Sequence, residues 1–246
     1  SYGILIAGKN VTPNNCNDLS VIDGVSGTVK YNPTTKTLTL ENATIDAGGK
    51  VIGIFNLAAP DLNIQVIGTN KITSGTTAVS IDKTTTISGT GTLNVTSTRS
   101  SGIYIANNSL TIKDCTVNAT GIRGISGSSL GWNGAVVIRN ANVSAQGSDG
   151  SICVISGLTL DNVVITSPTG AAYSSFLGGV AHRGTVATDI VEIRPTYGIH
   201  IAGTPVSPNN CNDLSVIGGV SGTVKYDPTT KTLTLENATI DAGDNG

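Results

Sequence analysis

The chain has 246 residues, a formal charge of −2, 31 glycines, no methionine, and charged residues at only 12% of the whole. Fourteen Lys and Arg in so neutral a chain exclude an electrostatic nucleic-acid footprint, which needs clustered cations. No apolar run approaches the ~18 residues of a membrane span and no charged and apolar leader opens the sequence, so neither membrane insertion nor an export signal is read in this segment.

Taken in chain order, Tyr2–Asn32 reads as an entrance cap within a first region of residues 1–37. It holds a strand YGILIAG, an Asn/Asp/Gly-rich loop from Pro13 to Gly27, a strand TVKYN and the turn NPTTK. The Asn and Asp residues of that loop are turn formers first; a metal site at Asn14–Asp18 would use their oxygens, but the alternating-acid spacing of a calcium loop is missing.

From Leu38 one phrase recurs. LTLENATI begins at Leu38, LNIQVIGTNKI at Leu62, TTISGTGTLNV at Thr85, LTIKDCTVNA at Leu110, VVIRNANVSA at Val136 and LTLDNVVIT at Leu158, at steps of 24, 23, 25, 26 and 22 residues. Each phrase alternates apolar and polar, as a strand with one buried face does. No helix-length amphipathic segment is present to cover a sheet from outside, and a β-sandwich would impose no fixed register of residue types at this period. The pattern predicts a right-handed parallel β-helix of about six coils, ~24 residues each, over residues 38–195.

Two interior files follow from this spacing: Leu38, Leu62, Leu110, Val136 and Leu158, and Leu40, Ile64, Ile87, Ile112, Ile138 and Leu160. Asn42, Asp114, Asn140 and Asn162 fall four residues after the leading apolar position, where a bend without glycine needs a side chain that tolerates the left-handed region, and stacked Asn can hydrogen-bond along the column. Ala43, Cys115, Ala141 and Val163 come next and point inward, which makes Cys115 a small apolar filler. Cys16, Cys115, Cys153 and Cys211 have no CxxC or Cys/His spacing and read as buried free thiols.

Residues 196–246 repeat the beginning. Tyr2–Gly48 aligns with Tyr197–Gly243 without a gap, and only six of the 47 positions differ (Leu5/His200, Lys9/Thr204, Asn10/Pro205, Thr12/Ser207, Asp23/Gly218 and Asn32/Asp227). One unit is therefore 195 residues, and the chain reads as a piece of a tandem array: one unit plus the truncated start of another. In that start Leu233, Leu235 and Ile240 have no following coil, and the expectation is that they rest on the end of the first unit or on another molecule.

The order YGIxIAGxxVxPxNCND, GTVKYxPTTKTLTLENATI, ISGTGTLNV, LTIKDCTVNA and DIVEIRPTYGIHIAG resembles the tandem β-helix repeat regions of large bacterial surface proteins of gut anaerobes. These are described as adhesin-like or carbohydrate-binding. The resemblance spans the whole chain. It implies an extracellular or cell-surface location and neighbouring repeat units as partners, and it carries over no catalytic motif.

Many parallel β-helices act on polysaccharides, so paired carboxylates are the feature to look for. The acids of the coils, Glu41, Asp46, Asp61, Asp82, Asp114, Asp149 and Asp161, sit singly; Glu41 and Asp161 share a column but lie five coils apart. His200 replaces Leu5, and His182 has no nucleophile motif near it. The expectation is a non-catalytic adhesive stalk or spacer that needs no cofactor or metal, with a polysaccharide lyase or hydrolase as the remote alternative. As a carbohydrate-binding module it would offer Trp132, in the loop SGSSLGWNG, with Tyr104 and Tyr173 behind it, and the outward column Thr39, Asn63, Thr86, Thr111, Val137 and Thr159. Each has a plain structural role as well, since an indole plugs a coil and Thr suits any exposed strand. Seven N-x-S/T sequons, at Asn10, Asn42, Asn94, Asn107, Asn118, Asn142 and Asn237, read as by-products of an Asn/Thr-rich repeat.

Overall fold

The computed structural model describes residues 1–129 and 134–243. Among them there is no α-helix, only strands and two short 3-10 turns. The protein is a parallel β-solenoid of about five turns.

Each turn contributes to three faces. Face A stacks the first half of Thr37–Asp46, then Leu62–Ile67, Thr85–Gly89, Ser109–Lys113, Ala135–Arg139 and Gly157–Asp161. Face B stacks the second half of Thr37–Asp46, Thr69–Ser74, Thr92–Ser97 and the first halves of Thr116–Gly127 and Asn142–Cys153. Face C stacks Ile54–Asn56, Val79–Ile81, Ser101–Ile105 and the second halves of those two long strands. Inward positions alternate along every strand, so Leu62, Ile64, Ile87, Leu93, Ile112, Val117, Ile138 and Val143 are fully buried in one continuous core.

The interior files differ from the expected ones at the first coil. Leu38 stands opposite Ile64 and Leu40 opposite Val66, so Leu38 belongs to the file Ile64, Ile87, Ile112, Ile138 and Leu160. The other file runs Leu62, Thr85, Leu110, Val136 and Leu158. A slip of two residues keeps every side chain on its own face, which is why the fold survives it and why alternation alone does not reveal it. Asn70 accommodates the junction on face B. It is fully buried at an inward position, its Oδ1 accepts from Ala43 N at 2.8 Å, and its Nδ2 donates to the carbonyls of Ile67 and Thr92.

The bends behave as the spacing predicts. Asn42, Asp114, Asn140 and Asn162 have φ of 47°, 58°, 47° and 55°, in the left-handed region. Ala43, Cys115, Ala141 and Val163 are buried beside them. At the first corner the Asn42 side chain reaches the next coil, its Oδ1 accepting from Thr69 N at 3.1 Å, and at two later corners backbone bonds join the coils, from Asp114 N to Arg139 O and from Asn140 N to Asp161 O, both 3.2 Å. The amide ladder lies on the outside of face B instead, where Asn118 Nδ2 donates to Asn94 Oδ1 at 2.8 Å.

The sixth coil is not completed. Gly157–Asp161 still stacks in parallel on face A, but Val191–Pro195 enters face B between Asn142–Cys153 and Val163–Ser167, antiparallel to both. Val191 and Ile193 thereby cover Ala145 and Val143, where Val163–Ser167 would have continued the stack. On face C a small antiparallel sheet, Ala172–Ser174, Gly179–His182 and Thr185–Val186, closes the end, with Ser151 N and Ile155 N donating to the carbonyls of Ala187 and Gly178. At the other end Ile4–Ile6 runs antiparallel to Ile54–Asn56, and Val25–Asn32 antiparallel to Thr37–Asp46. Antiparallel strands thus seal both ends of a parallel stack, whose edges would otherwise template further pairing.

Candidate functional site

The repeated cap builds a groove. In the loop, Asn15 Oδ1 accepts from Thr12 N at 2.8 Å, and the Asp18 side chain caps the 3-10 turn Leu19–Val21 by accepting from Ser20 N and Oγ. Those bonds from Ser20 hold the Asp18 carboxyl below its ordinary value. Tyr31 N donates to Cys16 O at 2.7 Å, tying the loop to the strand, and the Tyr31 ring leans on Tyr2 at 5.2 Å between centroids. Asn32 Oδ1 accepts from Thr34 N and Thr35 N and shapes the turn at Pro33. Between loop and hairpin lies an open groove of about 540 Å³ lined by Asn17, Lys30, Tyr31, Asn32, Pro33, Thr35, Thr37, Thr39 and Gln65.

The second copy rebuilds it. A groove of about 420 Å³ is lined by Cys211, Asn212, Lys225, Tyr226, Asp227, Pro228, Thr230, Thr232 and Thr234, with Tyr197 against Tyr226 at 5.4 Å. Among the described residues none takes the place of Gln65 there. The neutral amides, hydroxyls, one cation and tyrosine of the first groove suit hydroxyl-rich ligands better than charged ones, and in the second Asp227 stands where the first has Asn32.

No protein-family model, curated protein or solved structure matches the chain.

The outward column on face A is Thr37, Asn63, Thr86, Thr111, Val137 and Thr159. Thr39 lies one file over, beside Gln65, Ser88, Lys113, Arg139 and Asp161, through the same two-residue slip. Glu41 stands opposite Ile67, so it does not share a column with Asp161, whose carboxylate is paired with Arg139 Nε at 2.6 Å. Asn63 is tied down by Ser88 Oγ at 2.7 Å. Tyr104 belongs to face C, in the file of Phe55, Ser80 and Ser126, and does not meet the threonine column. The Tyr173 hydroxyl donates to Ile155 O and its ring packs on the core. Trp132 lies outside the described residues.

Three features escape the sequence reading. Face B carries the fuller hydroxyl and amide surface, with files Thr69, Thr92, Thr116, Asn142 and Thr73, Thr96, Thr120, Gln146 flanking Lys71, Asn94, Asn118, Ser144. The signal for it is present in the second half of each phrase, TNKITS, TLNVTS and TVNAT. Phe176, at the end of the Ala172–Ser174 hairpin, is 86% exposed. The cap groove is the third, and the duplication of Lys30, Tyr31 and Pro33 as Lys225, Tyr226 and Pro228 marks it.

Acid chemistry is sparse. Partial burial pushes the Asp82 carboxyl up while Lys83 opposes it. His182 Nδ1 faces Asp189 Oδ2 at 3.9 Å. Burial pushes the Cys115 thiol up to about 12, with Asp114 adding to it, and Cys153 up to about 11. All four cysteines are buried and free. Among the described residues no group of three or more His, Cys, Asp or Glu side chains could hold a metal ion, and no helix is long and apolar enough to cross a membrane.

Proposed function

We propose that the chain is a non-catalytic repeat module of a secreted or cell-surface bacterial protein, working as an adhesive stalk or spacer. The observation that carries this reading is the junction between units. The second cap is seated on the far end of the first solenoid, where Thr196 N donates to Asn162 O at 2.9 Å and Asn209 Nδ2 donates to Ile165 O at 2.8 Å. The Thr196 bond extends the antiparallel pairing of Val191–Pro195 with Val163–Ser167 into the start of the second unit, and Asn162 is the last left-handed corner of the first unit's face A strands. The family resemblance of the whole chain and its near-identical duplicated cap point the same way.

A chain of two or three complete units tests it by small-angle scattering. The longest dimension should grow by a constant step per unit, to which five turns contribute roughly 24 Å at the ~4.8 Å spacing of stacked strands. A maximum dimension that scatters from unit to unit, or turnover of an acidic polysaccharide seen through its unsaturated product, would overturn the reading.

A second reading, carbohydrate binding, is favoured by the groove that both copies build. A polysaccharide or host glycan would lie across Lys30, Tyr31, Thr37 and Thr39. A glycan array with wild type, a Lys30→Ala/Lys225→Ala double variant and Trp132→Ala separates groove from loop; no hit with any of the three retires sugar binding.

A further inference from the structure

We propose that the strand Thr232–Ile240 is a docking surface for a parallel solenoid coil of this same repeat, a strand, corner and strand with the sequence character of Leu62–Ser74. The inference rests on the repeat-module reading and names the partner of one surface of it.

Residues 35–48 and 230–243 are identical in sequence, so the first copy shows how this segment behaves when it is covered. There, Thr37–Asp46 is paired along both edges: antiparallel to Val25–Asn32, and parallel to Leu62–Ile67 and Thr69–Ser74. Leu38, Leu40 and Ile45 are fully buried. In the second copy Thr232–Ile240 pairs with Val220–Asp227 and with no other strand among the described residues. Leu233, Leu235 and Ile240 are 37%, 55% and 41% exposed, and none belongs to the buried cluster of the second cap. The first unit does not cover them, contrary to one of the two expectations; the cap meets that unit through Thr196 and Asn209. An apolar face and an open hydrogen-bonding edge therefore coincide on one strand, the arrangement that accepts an added strand.

The corner selects the kind of strand. Asn237 has φ 47°, the same as Asn42, so the edge bends in its middle. A straight strand, including the Thr232–Ile240 strand of a second copy laid antiparallel, can follow only one side of that bend. A coil of this repeat turns where the edge turns. In the first copy Thr69 N donates to Asn42 Oδ1 at 3.1 Å and Ala43 N donates to Asn70 Oδ1 at 2.8 Å. Gly68 makes this possible, since a Cβ there would collide with the Asn42 carboxamide. In the second copy no described residue takes the places of Thr69 and Asn70. The register follows from the first copy: Leu233 opposite the residue equivalent to Ile64, Leu235 opposite Val66 and Ile240 opposite Ile72.

The test titrates a synthetic peptide with the sequence of residues 49–76 into the full chain and reads amide hydrogen exchange. Exchange across Thr232–Ile240 should slow on the order of tenfold or more, with little change elsewhere. The same peptide carrying Gly68→Val and Asn70→Ala should lose the effect. Equal protection by both peptides would mean unselective edge binding and overturn the proposal. So would protection that grows with protein concentration without peptide, which would make a second copy of the chain the occupant. Should the peptide aggregate, a chain with residues 49–195 appended after Gly243 decides the matter: Thr232–Ile240 must then exchange as slowly as Thr37–Ile45, and faster exchange refutes the docking. Scattering from multi-unit chains judges the spacer reading separately, so the two can fail independently.

Discussion

The two copies of the cap differ at six positions of 47, yet the same leucines have opposite fates. Leu19 and Leu214 are fully buried, and Val29 and Val224 are each 1% exposed. Leu38 and Leu40 are fully buried, whereas Leu233 and Leu235 are 37% and 55% exposed. The cap thus assembles its small core from its own residues, while its last strand owes its burial to the coil that follows. Fully burying a large aliphatic side chain contributes about 1.5–3 kcal/mol, so the three uncovered side chains forgo on the order of 2–4 kcal/mol in total.

The largest test of this contrast is truncation at the two equivalent leucines. Leu40→Ala should destabilise the solenoid by about 2–5 kcal/mol and Leu235→Ala by under about 1 kcal/mol, read as shifts in urea midpoint. Equal shifts would mean that both strands are covered in solution.

A somewhat smaller effect is expected at Asn70, which joins the first cap to the coils and has no counterpart in the second copy among the described residues. Asn70→Ala should cost about 1–3 kcal/mol by orphaning the Ala43 amide in a buried place. Exchange at Ala43 should then approach that at Ala238, which already lacks such a partner.

Two thiols make the stability of the coils depend on pH. Cys115 and Cys153 ionise at about 12 and about 11 in the folded protein, against an ordinary value of 9.0. The unfolded chain therefore releases protons first as pH rises. The stability this protonation contributes is whole below pH 9 and is lost as pH climbs toward 11 and 12. By about pH 10 the loss should amount to about 1–2 kcal/mol per thiol, and Cys115→Ala with Cys153→Ala should flatten the decline in midpoint above pH 9.

The smallest test uses the hairpin turn in which Asp227 replaces Asn32. Asn32 and Asp227 each accept two backbone N–H bonds from the residues after Pro33 and Pro228. The bonds from Thr229 and Thr230 hold the Asp227 carboxyl below its ordinary 3.8. Its contribution is present above that value and fades as pH falls through the lower folded one, so acid should loosen the second hairpin before the first, and Asp227→Asn should abolish the difference. Amide chemical shifts of Thr34, Thr35, Thr229 and Thr230 between pH 5 and about pH 2 read it directly.

Much of the solenoid was legible residue by residue. The period-2 phrases placed the strands of face A, and the Asn42, Asp114, Asn140 and Asn162 positions carry the positive φ their spacing implied. Cys115 is the buried filler its neighbours Ala43 and Ala141 suggested. Harder to read was the slip that sets Leu38 opposite Ile64, because two residues either way present the same faces. The strand Val191–Pro195 was equally obscure: its alternation is that of any other strand, and nothing local says that it runs antiparallel and ends the stack at about five turns. The candidate site suffered most. Thr39 moved one file, and the cap groove joins Asn17 and Lys30 to Gln65 across a fold that only the register defines.

The sequence by itself determined what is local and periodic: strand, corner, strand, the residue types at each bend, and a cap that folds the same way twice. Tertiary structure decided which coil sits on which file, which strand closes the end, and whether Leu38 or Leu233 meets water. The reason is that alternation and corner chemistry are written within a few residues, whereas register and burial depend on what the next layer brings, and identical residues are buried only where a layer follows.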